Sequence, residues 1–387
     1  MRRKSALSKP QSRNAVRHRG HPVLIVGGGP AGLSTAIELA RLGTAAWVVE
    51  RSRYNDVRIG EHLQPSGVLQ LRAAERTSNM PLDVHLVSAG IEAYWGSSAP
   101  NYTDYLFHPG QYGLNLSRPR FDADLACACE RAGVTVLLSA TLMRARKATV
   151  GWDADIAVDG KPASCAVSVV VDGSGRAARF ARSQGAKVRA DDRMVAVVAI
   201  GHGADNETTT RNLVETAEIG WWYSARIGPA QSICMLVTDD DLLPKDAHAC
   251  LTPWWLSQLD RTDQTRRRAP RVDPSQRLIV RSARSQHLDI AFGSKWLAIG
   301  DAAMALDPLT SQGIAKALED GRRAASSIVD CIAGDDSSME RFASQAHSDY
   351  AAYRVMRTRY YRLETKWPKS LFWKRQQEES AVSWRPI

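Results

Sequence analysis

The sequence predicts an α/β fold: a parallel sheet flanked by helices, an inserted and mostly antiparallel β-sheet domain, and a C-terminal helical segment. Three observations predict it. The chain has 387 residues, 44% hydrophobic and 24% charged, a globular composition on a chain longer than one core of about 250–300 residues accommodates. Near its start a β-branched run, Val23-Leu24-Ile25-Val26, is followed by a glycine-rich turn, a helical pattern and a second apolar run. That is the order of a β-α-β unit with strands buried on both faces. Farther on, residues 193–201, 220–227 and 232–238 read as strands with no long helical pattern between them, as antiparallel neighbours do.

The first element is a tail. Residues 1–22 hold seven basic groups and no acid, and residues 340–387 hold ten basic and five acidic; the net charge of +10 leaves −2 for the stretch between. A near-neutral body lacks the basic face that nucleic acid requires, so no nucleic-acid partner is expected. Residues 1–21 read as a disordered basic arm, with an Arg- and Ser-rich targeting segment as the alternative. No apolar run reaches the roughly 18 residues of a transmembrane segment. Six cysteines without a Cys-x-x-Cys pair, and no His pair at ligand spacing, imply mostly buried, reduced thiols, no metal site and a cytoplasmic protein.

The turn is Gly27-Gly28-Gly29-Pro30-Ala31-Gly32. Its helix runs to Leu42, Gly43 stops it, and the next strand, Ala46-Trp47-Val48-Val49, ends in Glu50 and Arg51. Gly27 permits the tight turn, Gly29 lets a pyrophosphate approach the backbone, and Gly32 lets helix and strand pack closely. Pro30 and Ala31 open a helix whose free N–H groups and partial positive charge suit phosphates. Glu50 stands where a carboxylate accepts both ribose hydroxyls of an adenosine. Strand, turn, helix, second strand and acid in register make a Rossmann-like dinucleotide site.

Three further segments carry a resemblance. Val169-Val170-Val171-Asp172-Gly173-Ser174-Gly175-Arg176 and Trp296-Leu297-Ala298-Ile299-Gly300-Asp301-Ala302-Ala303 resemble the second and third FAD motifs of aromatic hydroxylases of the para-hydroxybenzoate hydroxylase kind. Arg118-Pro119-Arg120-Phe121-Asp122 resembles the Arg-x-x-Phe-Asp element of that group. The resemblance implies FAD as cofactor, with Arg118, Asp172, Gly300 and Asp301 near it and Asp301 on the ribityl chain. Gly300-Asp301 leads to Asp307-Pro308-Leu309-Thr310-Ser311-Gln312-Gly313 and a helical pattern over 314–328. A helix N-terminus there, formed by Pro308, Gln312, Gly313 and Ile314, would aim N–H groups at the flavin N1–C2=O edge and favour reduced flavin. The expected division is an FAD-binding domain of 22–95, 116–190 and 278–335, a substrate domain of 96–115 and 191–277, and a C-terminal helical and aromatic segment of 336–387.

Gly60-Glu61-His62-Leu63-Gln64-Pro65 resembles a loop of tryptophan halogenases and geranylgeranyl reductases. Gly220-Trp221-Trp222-Tyr223-Ser224 stands where halogenases carry Gly-Trp-x-Trp-x-Ile-Pro and departs from it. Tyr360-Tyr361-Arg362-Leu363-Glu364 and Trp367-Pro368, with Phe372-Trp373, resemble the end of flavoproteins that mature cysteine tryptophylquinone cofactors. Flavin halogenases also need a lysine after the Gly-Glu loop, and none occurs between Lys9 and Lys147. The resemblance therefore implies a flavin monooxygenase acting through a C4a-hydroperoxide on an indole-like aromatic substrate, a small molecule or part of a precursor protein. The alternatives are a reductase or dehydrogenase without oxygen insertion, and a maturation partner that binds a quinoprotein precursor. The lack of a second Gly-x-Gly-x-x-Gly unit implies that NAD(P)H visits transiently or that a separate flavin reductase supplies electrons. Candidate catalytic residues are Glu61, His62, Trp222 and Tyr223, the last two on opposite faces of one strand. Tyr353, Tyr360 and Trp367 recur every seven residues, a stripe on one helix face if the helix continues that far, for docking on the FAD domain or on a protein substrate.

Overall fold

A computed structural model of the chain describes residues 20–78, 81–203 and 209–378. Residues 1–19 of the expected basic arm lie outside them. The helices of the described residues are α1 (Pro30–Arg41), α2 (Pro65–Ser78), α3 (Arg118–Arg131), α4 (Arg179–Ser183), α5 (Ala247–Leu259), α6 (Thr265–Arg268), α7 (Gly313–Ile332), α8 (Ser337–Tyr361) and α9 (Leu371–Gln377).

Val23–Val26 lies inside a six-stranded sheet ordered Phe292–Gly293, Trp296–Ala298, Val169–Asp172, Val23–Val26, Ala46–Val49, Thr135–Leu137, parallel except for the first pair. Alternation along the strand sorts its side chains. Val23 and Ile25 pack with α1, α3 and α7, whereas Leu24 and Val26 face a three-stranded antiparallel sheet of Ala140–Lys147, Trp152–Val158 and Lys161–Val167. Helices α1 and α7 cross at Gly321, where a Cβ would stand 2.6 Å from the Ala31 carbonyl oxygen.

The second large sheet has seven strands, ordered Ile279–Ser282, Met194–His202, Gln231–Asp239, Gly220–Arg226, Arg211–Ala217, Gly90–Tyr94, Asn101–Asp104. Only the Gly90–Tyr94 pairing with Arg211–Ala217 is parallel. Two of its strands, Gly90–Tyr94 and Ile279–Ser282, come from stretches assigned to the nucleotide-binding part, so the sheet reaches a few residues beyond its expected limits. One face, with Trp221, Tyr223, Met194 and Met235, packs on Tyr361, Phe372 and Trp373 of the C-terminal segment and on Ile59 and Leu309. The other face, with Trp222 and Leu236, packs on Trp255 of α5.

Two expectations change here. Helix α8 stops at Tyr361, so Trp367 is beyond it and the seven-residue stripe does not share one helix. Tyr361, Phe372 and Trp373 are at most 1% exposed, because their apolar area is spent on the seven-stranded sheet rather than held out for a partner. The cysteines are all free, but only Cys129, Cys234 and Cys331 are buried; Cys127 and Cys250 are exposed, since helical spacing turns Cys127 away from its buried neighbour two residues on. No helix among the described residues is long and apolar enough to cross a membrane.

Candidate functional site

The glycine turn is held by contacts that only glycine allows. Gly27 has φ +112°, and a Cβ there would stand 2.3 Å from the Gly173 carbonyl oxygen, which brings the second motif against the first. A Cβ on Gly32 would lie 2.0 Å from the Gly27 oxygen. Gly29 differs: nothing lies within 4 Å of where its Cβ would be. It is the N-cap of α1, with Pro30 first in the helix and no side chain capping it, so the first N–H groups of the helix have no side-chain acceptor at the cap.

Glu50 ties this turn to the end of the second strand. Its Oε2 accepts from Gly28 N–H at 2.8 Å, and its Oε1 accepts from Ser52 N–H, Ser52 Oγ and Arg58 at 3.0, 2.7 and 3.0 Å. Burial alone would raise its pKa, but the Ser52 and Gly28 bonds and the Arg58 charge outweigh that and hold it below the ordinary value. Oε2, with one protein donor, keeps a lone pair, whereas Oε1 is taken up by three. Arg51, beside it, is exposed.

The third motif closes the crevice. Gly300, at φ +56°, packs on Ala31, and a Cβ there would stand 2.7 Å from the Ala31 Cβ. Asp301 is partly exposed, with Arg176 Nε 3.7 Å from its Oδ2. Residues 307–313 then pass through a short turn at Pro308–Thr310 to α7, whose N-cap Gln312 makes no side-chain cap bond. Gln312 and Gly313 are exposed, Ile314 is buried, and the space around a Cβ on Gly313 is empty to 4 Å. Gln64 of the Gly-Glu loop donates to the Thr310 carbonyl at 2.8 Å, joining the loop to this segment.

Two expected cofactor residues have other work. Asp172 is fully buried; Oδ1 accepts from Ser174 N–H and Oγ at 3.0 and 2.6 Å, and Oδ2 from Ala181 N–H at 2.8 Å. It shapes the second motif from a position with no exposed surface. Arg118 gives its donors to the Ile59 and Gly60 carbonyls at 3.1 and 2.8 Å and to Asp122, so it places the Gly-Glu loop. Sequence reading missed Arg58, which bridges Glu50, Ser52 and Asp122, and Tyr54, whose hydroxyl donates to the Gly28 carbonyl at 2.9 Å. Their one signal was two polar residues soon after the acid.

The structure sets two of the four catalytic candidates, Glu61 and Tyr223, side by side, and places His62 against Tyr105. Glu61 is 4% exposed; burial raises its pKa, against the opposing effects of Tyr223, the Gly60 N–H and the Arg118 charge. The Tyr223 hydroxyl lies beside that carboxyl without a hydrogen bond of normal geometry, and burial pushes its pKa far up. His62 has Nε2 3.5 Å from the Tyr105 hydroxyl and a buried Nδ1 with no partner, and burial lowers its pKa to about 4. Trp222 is not among them: it lies on the opposite sheet face, its ring 5.0 Å from that of Trp255. Two cavities open on the seven-stranded sheet, about 110 Å³ beside Asn115, Asn212 and Ser224, and about 260 Å³ beside Glu215 and Trp367. Neither is lined by the glycine turn or by Glu61, so chemistry rather than concavity marks the site.

The open Gly29 and Gly313, the two uncapped helix ends and the partly exposed Asp301 fit an FAD. Comparison with known proteins agrees. An FAD binding domain model matches residues 21–93. The FAD-dependent oxidoreductase LodB of Marinomonas mediterranea is 26% identical over 372 residues, covering 94% of this chain and 98% of its own. Among solved structures, the flavin-dependent halogenase CmlS superposes with a TM-score of 0.82 at 21% identity, over 93% of this chain and 68% of its own. The peptidyl tryptophan dihydroxylase QhpG does so with a TM-score of 0.75 at 21% identity, over 92% and 79%. These two likenesses speak for the fold; the domain match and the full-length relative make this chain an FAD-dependent oxidoreductase, similar in fold to flavin-dependent halogenases.

Proposed function

We propose that the protein is an FAD-dependent monooxygenase that inserts oxygen into an aromatic ring, an indole foremost, either free or within a precursor protein. The observation that carries this reading is the buried Glu61–Tyr223 pair on the aromatic sheet face that packs toward Ile59 and Leu309 of the cofactor side. Bound and reduced, FAD supplies the activation of dioxygen. The chain's own residues do the rest. Trp221, Tyr223 and Trp95 form a dry wall, Glu61 exchanges a proton at its carboxyl, and neutral His62 keeps an unpaired nitrogen available.

The structural neighbour QhpG, a peptidyl tryptophan dihydroxylase essential for tryptophylquinone cofactor biogenesis, supports an indole. Halogenation is disfavoured, because no lysine occurs between Lys9 and Lys147. The lysine in α7, Lys316, is paired with Asp320. Electrons come from a visiting NAD(P)H or a separate reductase, and the free thiols suit a cytoplasmic setting.

The test is direct. FAD-loaded protein is reduced without oxygen, then mixed with oxygen, bromide and either tryptophan or a tryptophan-bearing peptide. Mass spectrometry of the product is expected to show added oxygen and no bromine. A brominated product would replace this reading with halogenation; reoxidation of the flavin with no change in any aromatic offered would replace it with a reductase.

A further inference from the structure

Asp307 begins the segment that leads to the open end of α7, and it is almost fully buried. Its Oδ1 accepts from Leu309 N–H at 2.9 Å, shaping the turn. Its carbonyl accepts from Thr310 N–H and Oγ1 at 3.2 and 3.0 Å within the same turn, and three further bonds come from one face of α8. Tyr353 Oη accepts from the Asp307 N–H at 2.9 Å; Arg357 Nε and Tyr361 Oη donate to Oδ2 at 3.0 and 2.8 Å. Positions 353, 357 and 361 are four apart, so they stack along a single helix face. Tyr361 Oη in turn accepts from Trp221 Nε1 at 3.0 Å, and Trp221 lies two residues from Tyr223 on the same face of its strand.

We propose that Tyr353, Arg357 and Tyr361 of α8 are positioning residues that set the 307–313 segment against the flavin and, through Trp221, join that segment to the substrate-facing sheet. The physical argument is one of cost. A buried carboxylate with a buried arginine gains little stability over apolar side chains of the same volume, since both must be stripped of water. What such a network does supply is geometry: the carboxylate oxygens have few arrangements that satisfy three donors at once. The carboxyl at the centre orients the backbone of Leu309, four residues before the exposed Gly313 at the head of α7. The inference rests on FAD binding at this segment and not on which reaction follows.

The test uses full-length protein loaded with FAD. Tyr361→Phe keeps the packed ring and deletes one donor to a carboxylate, an interaction of a size that changes an equilibrium about tenfold. FAD affinity, followed by flavin fluorescence, is expected to fall about tenfold. The reduced flavin should lose more of its stabilisation than the oxidised, and a tenfold difference between them lowers the two-electron potential by about 30 mV. Tyr360→Phe, an exposed neighbour on the same helix, is expected to change neither.

Trp221→Phe, which leaves the Asp307 bonds in place, should shift the potential less than Tyr361→Phe. Asp307→Asn is the stronger lesion, and the Tyr361 and Trp221 variants decide if it fails to fold. Unchanged affinity and potential in folded Tyr361→Phe would overturn the proposal, as would an equal shift in Tyr360→Phe. Failure of the parent protein to take up FAD would overturn the cofactor assignment instead.

Discussion

The two halves of the site are made of different material. The cofactor crevice is made of backbone: its tightest contacts are Gly27 against Gly173 and Gly32 against Gly27, with helix ends left uncapped at Gly29 and Gln312. The proposed substrate side is made of side chains brought in from far along the chain, such as Trp221 on Tyr361, 140 residues apart, and Glu61 beside Tyr223. Backbone sites depend on where side chains are missing, so a substitution that adds one atom destroys them. Side-chain sites depend on which groups are stranded, so a substitution that removes one atom changes chemistry and leaves the fold.

The largest expected effect tests the first half of that contrast. Gly32→Ala puts a Cβ 2.0 Å from a backbone oxygen, which no rotamer relieves, and should cost about 4 kcal/mol or more in thermal or denaturant unfolding. Gly29→Ala meets nothing within 4 Å and should melt like the parent as apoprotein while binding FAD at least about tenfold more weakly. Equal melting losses in the two variants would erase the distinction between a packing glycine and a ligand glycine.

That distinction also explains what the sequence made legible. Glycine spacing and apolar runs encode the β-α-β unit, so the strands at 23–26 and 46–49 and helix α1 lie where they were expected. The third motif and α7 were readable for the same reason, the helix beginning at Gly313. Arg58 was not, because a loop arginine acquires meaning only when folding sets it between Glu50 and Asp122. For Asp172 and Arg118 a motif shows identity and not which acceptors and donors are already engaged by protein partners. Trp222 and Tyr223 illustrate the limit: alternation says they face opposite ways, but only tertiary packing says which way the cofactor is.

On the substrate sheet, Trp222→Ala should cost about 3 kcal/mol, since it empties a fully buried site against Trp255. Product formation per FAD-loaded folded enzyme should be unchanged. A loss of turnover larger than the loss of folded protein would put Trp222 back in the chemistry.

Acid separates the halves a second way. His62 has its pKa lowered from 6.5 to about 4, so between those values the unfolded chain binds more protons than the folded one, and stability rises with pH there. The folded state therefore loses roughly 2–3 kcal/mol from this group as pH falls from 6.5 to 4. Glu50, held below its ordinary 4.5, contributes stability that is present above that value and lost only as pH falls further. His85 and His287 shift the same way as His62, so the readout is a difference: denaturant midpoints of His62→Phe should fall less steeply than the parent's from pH 6.5 to 4. Parallel pH profiles for the two proteins would mean that His62 is already protonated or solvated in the folded state.

The smallest expected change in stability belongs to the residue nearest the proposed chemistry. Tyr223→Phe removes a buried hydroxyl that makes no hydrogen bond of normal geometry, so the midpoint should move by no more than about 0.5 kcal/mol, in either direction. The effect on Glu61 should be larger. Burial raises its pKa and Tyr223 partly offsets that, so removing the hydroxyl should raise the pKa further and move the acid limb of the rate profile to higher pH. A stable Tyr223→Phe enzyme with a displaced profile would show that this side chain is kept for its proton rather than its packing. An unmoved profile would return Tyr223 to the packed core, beside Trp221, as an apolar ring and nothing more.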